Sequence, residues 1–368
     1  MIDARRLRRL LRRMIDIYSP SGKETDLLEY LRDYLKERGA DPLVQPVDEN
    51  RYNLLVLPEQ PGPDIGLALI GHLDTIAAYD LEDYGYESRG DLVKGLGSAD
   101  MKSGCAAMIE AYLGCRASSA QPVPAALCLV VGEEENGDGA ERLISQYHFP
   151  WALVGEPTDL LPCLSSYGYL EIQIESSARR KHASVAAPRE NAIETLLQMM
   201  LRLSQYLRDT HPELVYNFRD LYSNPSGFAS PDRCEAWIDI HAPPEARLGE
   251  IVTAVEEESL KPDTGKGCSE NGCSRKFHIQ TIDAGYALPE KGALVRALKS
   301  VYGANDIGWR AEAFRSHSDA NQLWAAGIKP IVLGPGRLED AHASDESVSF
   351  DQVLQAARLY FETLRTFF

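Results

Sequence analysis

The sequence predicts an α/β protein whose sheet domain is interrupted by a smaller α+β insertion, and three observations carry that prediction. First, short apolar runs recur, each ending in glycine or a turn: "IGLALIGHLDT", "AALCLVVGEEE", "WALVGEPTD" and "KPIVLGPG". Runs of this length, rich in branched side chains, read as buried parallel strands. Helical stretches separate them, including "TDLLEYLRDYLKERG", a run from about Met101 to Cys115, and the C-terminal "FDQVLQAARLYFETLRTFF". Such alternation is the mark of an α/β sheet. Second, the middle of the chain changes character. "YGYLEIQIESS" alternates with period two, as a half-exposed antiparallel strand does. The helical stretch "NAIETLLQMMLRLSQYL" follows, then a strand "RCEAWIDIHA" and a helix "RLGEIVTAVEEE". Third, the α/β pattern resumes after about Leu288. The expected boundaries are 1–167 and 287–368 for the two parts of the sheet domain and 168–286 for the insertion. A chain of 368 residues is in any case long for one core.

Composition narrows the class. A 44% hydrophobic and 25% charged chain is soluble and globular in type. The net charge of -17 argues against a nucleic-acid partner and favours cations or neutral groups. The one basic block, "RRLRRLLRRM" at 5–14, places Leu7, Leu10, Leu11 and Met14 at helical spacing. Such a helix could lie on a membrane surface, but an opening helix with a solvated arginine face is the simpler expectation. No stretch approaches the roughly 18 apolar residues of a membrane span. Without the apolar core of a secretory signal at its start, the chain is expected to be cytoplasmic. Seven scattered cysteines suit a reducing compartment. Cys268 and Cys273, in "GCSENGC", read as loop thiols because the second pair of a structural zinc site is missing.

The chemistry gathers at strand ends. In open parallel sheets the functional crevice lies beyond the carboxyl ends of the strands. His72 and Asp74 follow "ALIG", Glu133 and Glu134 follow "LVVG", and Glu156 follows "ALVG". Asp100 sits in the glycine-flanked "GLGSADMKSG", and His342 in "EDAHASDES" after the strand "IVLG". Any one of these has an ordinary explanation, as a structural histidine or a helix cap. Together they place two histidines and several carboxylates at one edge of one sheet, where uncompensated negative charge would oppose folding unless a cation neutralised it. Mixed nitrogen and oxygen donors suit zinc and its neighbours. In "HLD", residues i and i+2 share a strand face, so the Asp74 carboxylate is expected to accept a hydrogen bond from the far nitrogen of His72. Three carboxylate ligands and a hydroxide would balance two divalent ions.

These residues closely resemble the zinc exopeptidase and deacylase family of acetylornithine deacetylase, succinyl-diaminopimelate desuccinylase, aminoacylase and glutamate carboxypeptidase. The match runs in order through "YSPSGKE", "GHLDT", "GSADMKSG", "EE" followed by glycines, "GEPTD", "SDANQLWAAGI", "GPG" and "AHASDESV". The resemblance implies a zinc-exopeptidase-like mixed sheet flanked by helices, with the insertion serving as lid and dimerisation domain. It implies two Zn2+ ions, replaceable by Co2+ or Mn2+. His72 and His342 would be terminal ligands, Asp100 a bridge, and one glutamate of the triplet and Glu156 the remaining ligands, with Asp74 orienting His72. A general base directly precedes the ligand in the family, so Glu133 as base and Glu134 as ligand fit best; the other register moves both by one, to Glu134 and Glu135. The implied reaction is hydrolysis of an amide bond in a small peptide or an N-acyl amino acid, in which Glu133 deprotonates the attacking water and protonates the leaving amine. "KHASV" resembles the family's lid motif, which makes His182 the implied oxyanion donor, reaching across a homodimer.

This chain also departs from the family. "DIHAPP" puts His241 where an arginine often meets a substrate carboxylate, and "FASPD" lacks an asparagine often found there. Arg315, Ser318 and the backbone N–H groups of "GPG" at 334–336 are left as candidates for holding substrate. Two other readings compete: a metal-binding protein without catalysis, which the adjacent glutamates argue against, and a membrane-associated module, which rests on the arginine-rich helix alone.

Overall fold

The computed structural model describes residues 2–58, 65–82, 84–118, 123–186, 191–261 and 274–368. The chain divides into two compact units. One comprises Met1–Ser165, Leu288–Phe314 and Ser318–Phe368, the other Ser166–Ala287 with Arg315–His317. Cys268 and Cys273 lie outside the described residues.

The first unit is built on a mixed sheet. Its strands run Leu43–Pro46, Tyr52–Val56, Ala125–Val130, Leu67–His72, Trp151–Val154, Lys329–Val332 and Cys163–Ser166 in spatial order. The four between Ala125–Val130 and Lys329–Val332 are mutually parallel, and Tyr52–Val56 and Cys163–Ser166 pair with the outer two in antiparallel fashion. Every residue of Leu67–His72 and Ala125–Val130 is buried, which explains why these strands read as unbroken apolar runs. From Leu67–His72 the chain moves to a neighbour on one side, then returns past it to Trp151–Val154 on the other. That reversal creates the switch point at which loops leave opposite ways and open a crevice.

Helix Lys102–Ser118 is almost wholly buried. It can press close to the sheet because a side-chain carbon at Gly104 would stand only 2.1 Å from the Gly155 carbonyl oxygen. Ala4–Asp16, Lys102–Ser118, Ala293–Ala304 and Phe350–Phe367 pack together, while Asp138–Ile144 packs with Asp319–Ala325. The arginine-rich helix Ala4–Asp16 buries Leu7, Leu10, Leu11, Met14 and Ile15. Its arginines are largely engaged within the chain: Arg6 forks onto Glu110, Arg8 stacks on Phe350, Arg12 pairs with Asp16 and Arg13 faces Tyr30. Among the described residues no helix is long and apolar enough to cross a membrane.

The second unit is a four-stranded antiparallel sheet in the order Val215–Ser223, Arg233–Ala242, Gly168–Ser177, Ser274–Asp283. One face carries Leu170, Ile172, Ile174, Ala236, Ile238 and Ile240, packed against Leu196, Met199, Leu203 and Val255 of helices Ala192–Thr210 and Leu248–Leu260. The central strands show the period-two alternation of the sequence. Both edge strands are mostly exposed along their length, with Tyr216, Phe218 and Phe277 packing only partly on the core, so the apolar alternation they carry is weak.

Candidate functional site

The strand-end residues of the first unit converge. His72, the last residue of its strand, places Nε2 3.2 Å from Asp100 Oδ1, 3.8 Å from Glu156 Oε1 and 3.9 Å from Glu133 Oε2. His342 Nε2 lies 2.9 Å from Glu134 Oε2 and 3.5 Å from Asp100 Oδ2. The two oxygens of Asp100 therefore face different histidines. Two groups with the spacing of metal ligands result, His72–Asp100–Glu156 and Asp100–Glu134–His342, and they share Asp100. Glu133 belongs to neither and Glu135 is exposed. Three adjacent glutamates thus take three different environments, because they lie in the turn after the strand Ala125–Val130 and not along it.

The turn that delivers the glutamates depends on Gly132, with φ of 76°. A Cβ there would stand 2.1 Å from Asp138 Oδ1 and 2.7 Å from Arg51 Nη1, and the left-handed backbone is itself costly for other residues. Arg51 pairs with Asp138, the first residue of helix Asp138–Ile144, and with Asp48. Asn136 and Gly137 both donate N–H to the Gly132 carbonyl, closing the turn.

Electrostatics shows what the cluster lacks. Burial pushes Glu156 up to about 8, and the like charge of Asp100 adds to the rise. Burial also raises Glu133 well above the carboxylate range. For His72 burial works the other way, yet Glu156, Asp100 and Asp74 together raise it far above an ordinary imidazole. Half-exposed His342 is likewise pushed up to about 9, because the bond to Glu134 outweighs burial. Protons are standing in for positive charge. Glu156 Oε1 is buried without a hydrogen-bond partner among the described residues. Orphan acceptors of this kind are costly unless something cationic meets them. A two-nitrogen, multi-carboxylate donor set with such an oxygen fits two divalent ions sharing Asp100.

Asp74 behaves differently from the expectation. His72 Nδ1 is 3.0 Å from the Asp74 main-chain carbonyl and 3.6 Å from its carboxylate, so the backbone is the nearer acceptor. The carboxylate is taken by other donors: the N–H groups of Glu133 and Glu134 at 3.2 and 3.0 Å, and the Ser21 hydroxyl at 2.7 Å.

Other residues fall outside the sequence reading. Buried Glu346 accepts N–H bonds from Gly97, Ala99 and Asp100 at 2.8, 2.8 and 2.9 Å and so fixes the Asp100 loop. Buried Asp319 is raised to about 7 by burial, against the opposing charge of His72. Ser21, Asp319 and Glu346 each lie inside a quoted motif, but nothing local separates them from ordinary caps and surface acids.

Some candidates for holding substrate are otherwise occupied. Gly334 N–H donates to Thr158 Oγ1 and Gly336 N–H to Gln352 Oε1, while Pro335 has no N–H. The expectation that "GPG" offers free donors is therefore corrected. Ser318 caps helix Asp319–Ala325 by accepting from Ala320 N–H. In the second unit, His241 and His317 flank Tyr169 with ring centroids at 5.2 and 4.0 Å, and burial lowers both imidazoles, His317 to about 3. Arg315, also in that unit, is exposed. His182 is exposed there too, with Nδ1 2.8 Å from Ser184 Oγ.

Comparison with known proteins follows the same lines. Residues 68–366 match the model of peptidase family M20/M25/M40. Acetylornithine deacetylase of Edwardsiella ictaluri is 26% identical, with 93% of this chain and 90% of that protein aligned. A probable carboxypeptidase of Aspergillus niger is 24% identical over 98% of this chain and 89% of its own length. Among solved structures, a tripeptidase from Staphylococcus aureus superposes with a TM-score of 0.82 at 18% identity, covering 100% of this chain and 99% of that one. With the family model spanning most of the sequence, and its residues enclosing the Asp100-centred cluster, the chain belongs to peptidase family M20/M25/M40 and is a metal-dependent hydrolase.

Proposed function

We propose that the protein is a dinuclear zinc hydrolase that cleaves an amide bond in a small peptide, as a dipeptidase or carboxypeptidase does, or in an N-acyl amino acid. The observation that carries the reading is Asp100, whose two oxygens face two separate histidine–carboxylate groups, with largely buried Glu133 3.9 Å from His72 and part of neither.

His72, Asp100 and Glu156 would hold one ion, and Asp100, Glu134 and His342 the other. When bound, the ions make water acidic enough to yield a nucleophile near neutral pH and polarise the scissile carbonyl. Glu133 takes the proton of the attacking water and returns it to the leaving amine, which requires a carboxylate close to the cluster but not spent on ligation. Its burial supports this work, since a desolvated carboxylate is a stronger base than a solvated one. Asp74 holds the Glu133 and Glu134 backbone in place. His182 is the donor we assign to the developing oxyanion, from the second unit of a neighbouring subunit in a homodimer. Exposed Leu197 and Leu201, one helical turn apart on Ala192–Thr210, support a role for that unit in association. Neutral His241 in place of an arginine weakens the case for a free substrate carboxylate being read by charge there. Five buried free thiols, Cys105, Cys115, Cys128, Cys163 and Cys234, support a reducing, cytoplasmic setting.

The test is a hydrolysis screen of zinc-loaded and chelator-treated protein against dipeptides, tripeptides and N-acetyl, N-succinyl and N-formyl amino acids. Chelator-sensitive turnover of at least one class is expected. Turnover that survives complete metal removal would overturn the reading.

A further inference from the structure

The segment "YSPSGKE" lies beside the site without contributing to the ligand groups. Its geometry gives it a task. Ser21 Oγ donates to Asp74 Oδ2 at 2.7 Å, and that carboxylate is fully buried. Oδ2 also accepts the Glu134 N–H at 3.0 Å, while Oδ1 accepts the Glu133 N–H at 3.2 Å and lies 3.6 Å from His72 Nδ1. The serine cannot drift from its acceptor. Thr75 N–H donates to the Ser19 carbonyl at 3.0 Å, Ser21 N–H to the Thr75 carbonyl at 3.2 Å, and Ser19 Oγ to the Leu73 carbonyl at 2.9 Å. Two backbone segments are thus laced together on either side of one hydrogen bond.

We propose that Ser21 is a positioning residue for the general base: its hydroxyl holds the Asp74 carboxylate in the orientation whose two oxygens grip the Glu133 and Glu134 N–H groups. A carboxylate in this place has rival donors. Without the serine, Oδ2 loses one of its two bonds, and rotation toward His72 Nδ1 becomes the way to recover it. Both N–H groups would then lose alignment, and the Glu133 side chain would move with its backbone. The far end of the turn stays anchored by Arg51–Asp138 and by the two N–H bonds to the Gly132 carbonyl. Removing the hydroxyl should therefore misplace the base without unfolding its loop. Misplacement of a catalytic group by about 1 Å can cost 10²-fold in rate.

The proposal rests on Glu133 being the base, and its test separates the two ideas. Ser21→Ala, Ser21→Thr, Glu133→Gln and the double variant Ser21→Ala/Glu133→Gln are compared at saturating zinc on the best substrate of the screen. Amide exchange of the 130–137 segment is followed in the metal-free proteins. Ser21→Ala should lower kcat by ~10- to 100-fold with KM little changed, and should speed exchange in that segment. Ser21→Thr, which keeps the donor, should restore both. On the Glu133→Gln background the serine change should cost almost nothing more, because there is no base left to misplace. Full kcat in Ser21→Ala, or an equal loss on both backgrounds, overturns the proposal. Full turnover in Glu133→Gln alone overturns the base assignment instead. Should Ser21→Ala fail to fold, Ser21→Cys, similar in size and a weak donor, is put through the same comparison.

Discussion

His342 Nε2 and Glu134 Oε2 meet at 2.9 Å across 208 residues of sequence, one from the loop after Lys329–Val332 and one from the turn after Ala125–Val130. In the metal-free protein that contact is an ion pair, with the imidazole raised to about 9. A ligand must be neutral at the nitrogen that binds metal.

Metal binding should therefore expel protons. The sign follows from the direction of the shifts. Below about 9 the His342 imidazole is protonated before binding, and His72 is raised in the same direction, so each must lose a proton as the ion enters. Affinity should fall as pH drops through this range and level off above it. Calorimetry of zinc binding in buffers of different ionisation enthalpy should show release of about one proton or more per ion at pH 7, declining toward alkaline pH. Binding that releases no protons at pH 7 would contradict the assigned ligand set.

Glu133 and Glu134 can be told apart by one substitution each. Glu133→Gln keeps the shape but removes the base, and a drop of at least ~10² in turnover with metal content near two ions is expected. Glu134→Gln removes a ligand, so metal analysis should show loss of zinc together with activity. If Glu134→Gln keeps its metal and Glu133→Gln is mild, the base is Glu134.

Buried Glu346 should matter for stability. Its carboxylate is the acceptor for the N–H groups of Gly97, Ala99 and Asp100. Glu346→Ala strands three buried donors at ~1–3 kcal/mol each. Urea denaturation of the metal-free protein should reveal a loss of at least ~3 kcal/mol. Glu346→Gln, which retains one acceptor oxygen, should lie between. Metal affinity should weaken in both variants, because the loop they loosen presents Asp100. Unaltered stability in Glu346→Ala would mean that water or a rearranged loop replaces the carboxylate.

These residues differ in how far they could be read from the chain alone. The convergence of His72, Asp100, Glu134, Glu156 and His342 was legible because they lie in loops that follow buried apolar runs or in a glycine-flanked turn, and parallel strands bring their carboxyl ends together whatever the sequence separation. The alternating strands Gly168–Ser177 and Arg233–Ala242 were legible for the same local reason. Edge strands Val215–Ser223 and Ser274–Asp283 were not, since their inward side chains are only half-buried while apolar Val215, Leu221, Ile279 and Ile282 are exposed, which blurs the alternation. Glu346 was hidden because its partners lie 246 to 249 residues away and are backbone groups, which leave no trace in residue type. Asp74 shows the finer limit. The i, i+2 geometry correctly put it beside His72, but the choice between its carbonyl and its carboxylate was decided by Ser21 and by the Glu133–Glu134 turn.

His182 lies in the second unit, exposed and bonded to Ser184. If it supplies an oxyanion donor to a neighbouring subunit, His182→Ala should lower turnover by ~10² to 10³, the usual cost of losing one such donor. Zinc content should not change, because both ligand groups belong to the first unit. Mixing His182→Ala with Glu133→Gln under conditions where subunits exchange provides the stronger test. Each parent is inactive for a different reason. A mixed dimer contains one site with an intact Glu133 facing an intact partner histidine, so up to about half the activity of an unaltered dimer should return in that species. Recovery should track the extent of exchange, measured by mass on differently tagged chains. Demonstrated exchange without recovery would mean that His182 serves the site of its own chain if His182→Ala is impaired, and no site at all if that variant keeps full turnover.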